Sequence, residues 1–430
     1  MLRLVTLTSL AVALCSGQEP WRQSGFSEGA RDWSVWSARP EIAPRTFVSD
    51  TVNRGEPGAL AILGNSNVAA YGGWERKLPV TPGAWYKLTA HYLPVGITHE
   101  NLQVLARLDW RNNRARRVGQ PDYAWRAFPA GDGWNRVELV AQAPPDASIA
   151  QLQLYLQNAP LATLYWDDIA FQPITPPAAR KVTVASVNLR PRSTGGAAAS
   201  VQKFLDLVET QVKSGTDVIL LPEGITVVGT GKSYLDVAET IPGPTTAKLG
   251  DMAKRKDSYV VAGILEREGI AIYNTAVLLD RQGKLAGKYR KVYLPREEIE
   301  GGLTPGNDYP VFDTDFGKVG LMICWDLQYA DPARALARRG AELLLVPIWG
   351  GNETLGKARA IENRVFVAAS GYDYPTYVMD PDGELLAVTR VDGALAVATI
   401  DLNRSYADRW LGDMRGRFMK ELRTDIEPQH

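Results

Sequence analysis

The chain has 430 residues, 45% hydrophobic and 22% charged, the balance of folded globular proteins and far from disordered or fibrous extremes. One hydrophobic core rarely organises a chain of this length, so two domains of roughly 150 to 250 residues are expected. Lysine plus arginine equals aspartate plus glutamate at 48 each. No global field therefore recruits a polyanion, and no nucleic-acid partner is expected.

At the start, Arg3 precedes the apolar run Leu4 to Leu14, and Ala13, Ser16 and Gly17 come before the polar Gln18 and Glu19. This is the layout of a cleavable secretory signal over residues 1–17, too short to span a bilayer, and it predicts a periplasmic or secreted protein. Lipidation at Cys15 is the competing reading, disfavoured by Leu14 where that processing expects a small side chain. Loss of Cys15 with the signal leaves Cys324 as the single thiol, with no internal disulfide. Such a cysteine in an oxidising compartment is either buried and inert or reactive. The histidines are His91, His99 and His430, so none lies between residues 180 and 429.

Residues 18–171 are rich in tryptophan and in short alternating runs such as Tyr86 to Tyr92, Val137 to Ala141 and Leu152 to Leu156. Pro/Gly/Asp turns separate these runs, which predicts an antiparallel β-sandwich. The segments Gly83-Ala-Trp-Tyr-Lys-Leu88 and Leu164-Tyr-Trp-Asp-Asp-Ile-Ala-Phe171 resemble galactose-binding-like and carbohydrate-binding jelly-roll modules. The resemblance implies carbohydrate binding through exposed aromatics, whereas composition favours these tryptophans as the core of a small sandwich. The basic run Arg111-Asn-Asn-Arg-Ala-Arg-Arg117 reads as a solvated hairpin loop. Three prolines in the segment 172–180 mark a stiff linker.

From 181 to 405 strands alternate with helices. Strands are expected at Val182 to Val187, Asp217 to Leu221, Tyr259 to Ile264, Ala271 to Leu279, Val319 to Ile323 and Glu342 to Val346. Helices are expected near Ala199 to Lys213, Pro332 to Arg339 and Thr354 to Asn363. Continuous apolar strands between helices predict a layered α/β fold with buried sheets. Residues 406–430 form a C-terminal extension.

Three landmarks end apolar strands, where layered α/β enzymes place their sites. In Leu220-Leu-Pro-Glu-Gly224, Pro222 stops the strand and Gly224 permits a sharp turn, so Glu223 stands at the strand mouth. Desolvation there suits a general base, although acids after strands are often plain turn residues. In Gly287-Lys-Tyr-Arg-Lys-Val-Tyr-Leu-Pro295, alternation sends Lys291 and Arg290 to opposite sides. A buried lysine needs an anionic partner; a solvated edge strand is the plainer reading. Gly317-Lys-Val-Gly-Leu-Met-Ile-Cys-Trp-Asp326 delivers Cys324 into a turn and then a helix, whose terminal amides would favour thiolate. Taken alone, a buried inert cysteine is commoner. Without histidine in this half, a catalytic Cys324 would need a carboxylate or lysine as its base.

Together these motifs, with Arg359-Ala-Ile-Glu-Asn363 and Phe366-Val-Ala-Ala369, resemble the nitrilase superfamily of carbon–nitrogen hydrolases from about Val182 to Ile400. The resemblance implies a four-layer αββα sandwich, no metal or cofactor, and hydrolysis of small amides, carbamoyl groups or nitriles. It implies Cys324 as nucleophile, Glu223 as general base and acid, and Lys291 with the backbone amide of Trp325 as oxyanion donors. It also implies a second glutamate after the lysine, for which Glu300 is the best match and Glu298 the alternative, and a homodimer by analogy. Tyr293 stands where many relatives carry histidine, and Tyr374-Pro-Thr-Tyr377 replaces a more usual Gly-x-Ser before the Asp380-Pro-Asp-Gly383 turn. The function expected is an exported amidase or carbamoylase. An acyltransferase using the same thioester and a vestigial glycan-binding protein are the alternatives.

Overall fold

The computed structural model describes residues 19–372, 375–408 and 410–426. The expected signal at 1–17, Tyr374 and His430 lie outside them. The chain divides into two compact units, one up to Pro177 together with the chain from Ala407 onward, the other Ala178–Tyr406.

In the first unit the strands are β1 Trp21–Gln23, β2 Ser34–Ser37, β3 Arg45–Ser49, β4 Ala59–Leu63, β5 Tyr71–Pro79 and β6 Trp85–Val95. After the short helix α1 Glu100–Gln103 come β7 Val104–Arg111, β8 Asp122–Tyr123, β9 Arg126–Pro129, β10 Asn135–Gln142, β11 Ile149–Gln157 and β12 Thr163–Ile174. Two sheets result, ordered β3-β4-β12-β6-β10-β9 with β1 on β12, and β2-β5-β11-β7-β8. The period-2 pattern decides which side chains enter the shared core. Along β11, Ala150, Leu152, Leu154 and Leu156 point in, while Gln151, Gln153 and Tyr155 take the other face. Trp33, Trp74, Trp110 and Trp166 belong to that core, so for these four the packing reading holds; Trp36 is exposed. In the basic hairpin, Arg111 and Arg117 both pair with the fully buried Asp109, leaving Arg114 and Arg116 in solvent.

The C-terminal segment adds β25 Ala407–Asp408, β26 Gly412–Asp413 and α8 Met414–Glu421 to this first unit. Asp413 caps α8 by accepting from the amides of Arg415 and Gly416. The buried Lys420 Nζ donates to the carbonyl of Val104 at 3.0 Å.

The second unit runs β13 Lys181–Asn188, α2 Ala197–Gln211, β14 Val218–Leu220, α3 Tyr234–Val237, α4 Pro244–Lys256, β15 Tyr259–Glu268, β16 Ala271–Leu279, β17 Leu285–Arg290 and α5 Arg296–Glu300. It continues through β18 Val311–Asp313, β19 Lys318–Leu321, α6 Asp331–Arg338, β20 Leu343–Pro347, α7 Glu353–Asn363, β21 Phe366–Ser370, β22 Thr376–Met379, β23 Leu385–Thr389 and β24 Ala394–Asp401. Its two six-stranded sheets are ordered β17-β16-β15-β14-β13-β24 and β18-β19-β20-β21-β22-β23, with β13-β14-β15 and β19-β20-β21 parallel.

Unbroken apolar strands are needed here because both faces of each sheet are covered. Val218 and Leu220 of β14 face the other sheet, while Ile219 and the following Leu221 meet Phe204 and Val208 of α2 and Leu249 and Met252 of α4. Leu343 and Leu345 of β20 enter the same inter-sheet core, while Leu344 and Val346 meet Leu336 of α6 and Ala360 of α7. Three successive cores thus stack helices, sheet, sheet and helices. Among the described residues no helix is long and apolar enough to cross a membrane.

Candidate active site

Glu223 follows β14 and is 3% exposed. The chain is held there by backbone bonds from Leu221 N to the Val261 carbonyl and from Gly263 N to the Pro222 carbonyl. Gly263 has to be glycine, because a Cβ at that point would lie 2.6 Å from the Glu223 Cα. Gly224 takes φ +62°, which turns the chain away sharply. The Tyr372 hydroxyl, in the core, donates to the Glu223 carbonyl at 2.5 Å. Neither Gly263 nor Tyr372 was singled out from the sequence.

Strand β17 alternates as expected. Tyr289 enters the inter-sheet core, and Arg290 turns to the carboxylate of Glu266 at 2.7 and 2.9 Å. Lys291 turns inward and is 1% exposed, its backbone N–H bonded to the Asn274 carbonyl at 2.9 Å. Its Nζ donates to Glu223 Oε1 at 2.8 Å and to Glu298 Oε1 at 2.7 Å. Burial by itself would lower the lysine pKa, but the neighbouring Glu223 charge, with Glu298, more than offsets it and holds the group above the usual lysine range.

The second glutamate of the site is Glu298, which corrects the expectation of Glu300. Glu298 is buried within this network, whereas the Glu300 side chain is 69% exposed and reaches Arg296 at 3.8 Å. Both lie on α5, where two residues are separated by about 200° of rotation, so only one can face Lys291. Burial first, then the neighbouring Glu223 charge, lifts the Glu298 carboxyl to about 7 against the pull of Lys291. Asn274 closes the network, its Nδ2 donating to Glu223 Oε1 at 2.7 Å and Glu298 Oε1 at 3.1 Å. It too had no signal of its own in the sequence.

Cys324 sits at a sharp bend, with φ +41°, opening a 3-10 turn that runs to Gln328. Its Sγ donates to the Gly350 carbonyl at 3.2 Å. Burial, then the Glu223 charge, pushes the thiol up to about 12, against Lys291 and the backbone of Gly350 and Trp349. Burial therefore opposes the thiolate that the turn was expected to favour. The Trp325 indole is exposed. As the second residue of the turn, its backbone N–H has no intrahelical acceptor and remains available to an oxyanion.

Asp326 ties the cysteine and lysine segments together. Fully buried, it accepts from Ile323 N at 2.9 Å, Tyr293 N at 3.0 Å and the Tyr289 hydroxyl at 2.8 Å. Arg359 on α7 donates to the Leu327 carbonyl at the far end of the same turn. Tyr293 stacks on Tyr329 with ring centroids 3.9 Å apart and donates to Asp331 at 3.0 Å. Among the described residues no group of three or more histidine, cysteine or acidic side chains is placed to hold a metal ion.

The carbon-nitrogen hydrolase family model matches residues 183–410. Omega-amidase NIT2 of Mus musculus is 31% identical over 258 residues, 53% of this chain and 90% of that protein. The Bos taurus omega-amidase NIT2 is 32% identical over 228 residues, 46% of this chain and 81% of that one. The structure of Saccharomyces cerevisiae Nit3, described as a member of branch 10 of the nitrilase superfamily, aligns at 24% identity over 51% of this chain and 90% of that one, with a TM-score of 0.46. Because the family model covers more than half of its length, this chain belongs to the carbon–nitrogen hydrolases of the nitrilase superfamily and is a hydrolase acting on carbon–nitrogen bonds.

Proposed function

We propose that the chain hydrolyses a small amide or carbamoyl compound through a thioester on Cys324. The observation that carries this reading is the Lys291 ammonium, buried between the carboxylates of Glu223 and Glu298, in a unit that holds Cys324, the one free cysteine among the described residues. A fully buried charge network of this kind costs stability, and groups perturbed in this way cluster at functional sites. The omega-amidase relatives support an amide as the substrate class.

In the proposed sequence Glu223 takes the thiol proton through Oε2, which has no hydrogen-bond partner among the described residues. The sulfur forms a bond to the carbonyl carbon, and the oxyanion is held by Lys291 Nζ and the Trp325 amide. Collapse breaks the carbon–nitrogen bond while Glu223 returns its proton to the departing ammonia or amine. Water, deprotonated by Glu223, then attacks the thioester; collapse breaks the carbon–sulfur bond, releases the acid, and returns the proton from Glu223 to the Cys324 sulfur. Glu298 supplies the second anion that holds Lys291 in place.

Export to the periplasm or exterior through the 1–17 signal, a galactose-binding-like sandwich in the first unit and a homodimer complete the proposal. The two antiparallel sheets over one core support the sandwich. Intact-protein mass spectrometry after exposure to a panel of amides and nitriles tests the chemistry. An acyl adduct is expected with amides and absent from Cys324→Ala; turnover without any adduct, or an adduct retained by the variant, rejects the mechanism.

A further inference from the structure

We infer that Asn274 is a positioning residue that decides which oxygen of each site carboxylate faces the reacting atoms. This rests on the amidase reading above and assigns to it a residue that makes no contact with the thiol itself. Asn274 lies within β16, 4% exposed, and its amide nitrogen donates to one oxygen of Glu223 and one of Glu298. Lys291 Nζ donates to the same two oxygens. The result is a closed ring of two donors and two acceptors, in which both Oε1 atoms are doubly occupied. Both Oε2 atoms are buried and have no partner among the described residues.

Lysine alone cannot enforce this arrangement. An ammonium is a compact charge with rotatable donors, equally content with either oxygen of a carboxylate or with both oxygens of one. The planar amide of Asn274 can place its two N–H groups only toward fixed directions, so it selects the Oε1 pair and leaves each Oε2 free. Its own orientation is settled by the same contacts, because a flipped amide would aim Oδ1 at two carboxylate oxygens. Oδ1 is itself buried and without a partner among the described residues, so nothing on its far side competes to turn the group. The backbone does separate work: the Asn274 carbonyl takes the Lys291 N–H, and a side-chain substitution leaves that bond in place.

The test uses the full-length protein and reads the thiol directly, so it does not depend on knowing the substrate. Iodoacetamide alkylation of Cys324 is followed by mass spectrometry of its peptide across the pH range for wild type, Asn274→Leu and Asn274→Asp. The charged and titratable groups around the amide are Glu223, Glu298 and Lys291, with Tyr234 near Glu298 and Glu223, Tyr372 bonded to the Glu223 carbonyl, and Cys324 near Glu223 and Lys291. Losing the two N–H donors removes hydrogen bonds that favour the charged carboxylates, so the network, led by the already raised Glu298 carboxyl, ionises at higher pH. Asn274→Leu is expected to slow alkylation about 10- to 100-fold, the range of charge-assisted hydrogen bonds, and to move the acid limb of the rate profile to higher pH. Asn274→Asp keeps the shape but adds a third negative charge, so its limb moves further in the same direction. A limb that stays put in both variants while the melting temperature falls gives Asn274 a merely structural role and overturns the inference. Failure of the amidase reading looks different: normal alkylation profiles in the wild type with no amide turned over.

Discussion

Replacing Glu298 by glutamine separates the structural reading of this site from the sequence reading more sharply than any other change. Folding moves this carboxyl from an ordinary 4.5 to about 7, mainly through burial. A carboxyl raised in this way contributes stability that is fully present below pH 4.5 and is lost as pH rises through 7, because the folded protein must then hold a buried anion. The gap corresponds to about 3 kcal/mol between the two ends of that window. Glutamine has the same shape and does not titrate, and it leaves Lys291 its bond to Glu223. The stability of Glu298→Gln relative to wild type should therefore rise by up to about 3 kcal/mol from pH 4.5 to pH 8. Differential scanning calorimetry at several pH values measures it. Above pH 7, where wild-type Glu298 is ionised, kcat/KM should fall about 10- to 100-fold, since the second anion holding Lys291 is then gone, and the two proteins should converge at lower pH. Glu300→Gln, on the exposed side of α5, should stay within about 0.5 kcal/mol at every pH and keep full activity. A stability difference for Glu298→Gln that is flat or falls with pH refutes the reasoning, as does any loss of activity confined to Glu300→Gln.

Asp326→Asn keeps one acceptor oxygen but sets an NH2 among three donors, from Ile323, Tyr293 and Tyr289, so it should cost about 1–3 kcal/mol and lower kcat; calorimetry and steady-state kinetics check both. Burial of Lys420 lowers its pKa to about 8, so wild-type stability should rise between pH 8 and 10.5, where the unfolded chain still binds the proton. Lys420→Met should remove that pH dependence and leave the protein more stable at pH 7, by chemical denaturation. With the Cys324 thiol pushed up to about 12, the substrate-free enzyme should show no ultraviolet thiolate absorbance up to about pH 10, and an earlier rise contradicts the burial argument.

The positions of Glu223, Lys291 and Cys324 were legible because each sits where a local pattern ends. Pro222 and Gly224 bracket the first, β17 alternation turns the second inward against Arg290, and the apolar run before Cys324 stops at a turn. Period-2 patterning depends only on neighbours along the chain, which is why the layered core around β14 and β20 could be anticipated strand by strand. The C-terminal segment was different. Residues 407–426 carry no mark of which unit they join, and packing on the first unit through Lys420 and Val104 depends on contacts across most of the chain.

The choice of Glu298 over Glu300, and the parts played by Asn274, Tyr372 and Asp326, belonged to tertiary structure alone. Spacing along the sequence leaves two acids on one short helix equally eligible, and only the rotation of α5 against Lys291 decides between them. Asn274 meets Glu223 across 51 positions and Tyr372 meets it across 149, distances over which no local propensity acts. The resting state of the thiol was decided in the same way, since the charge on a sulfur follows from how deeply it is buried and which charges surround it, and neither is set by the residues on either side.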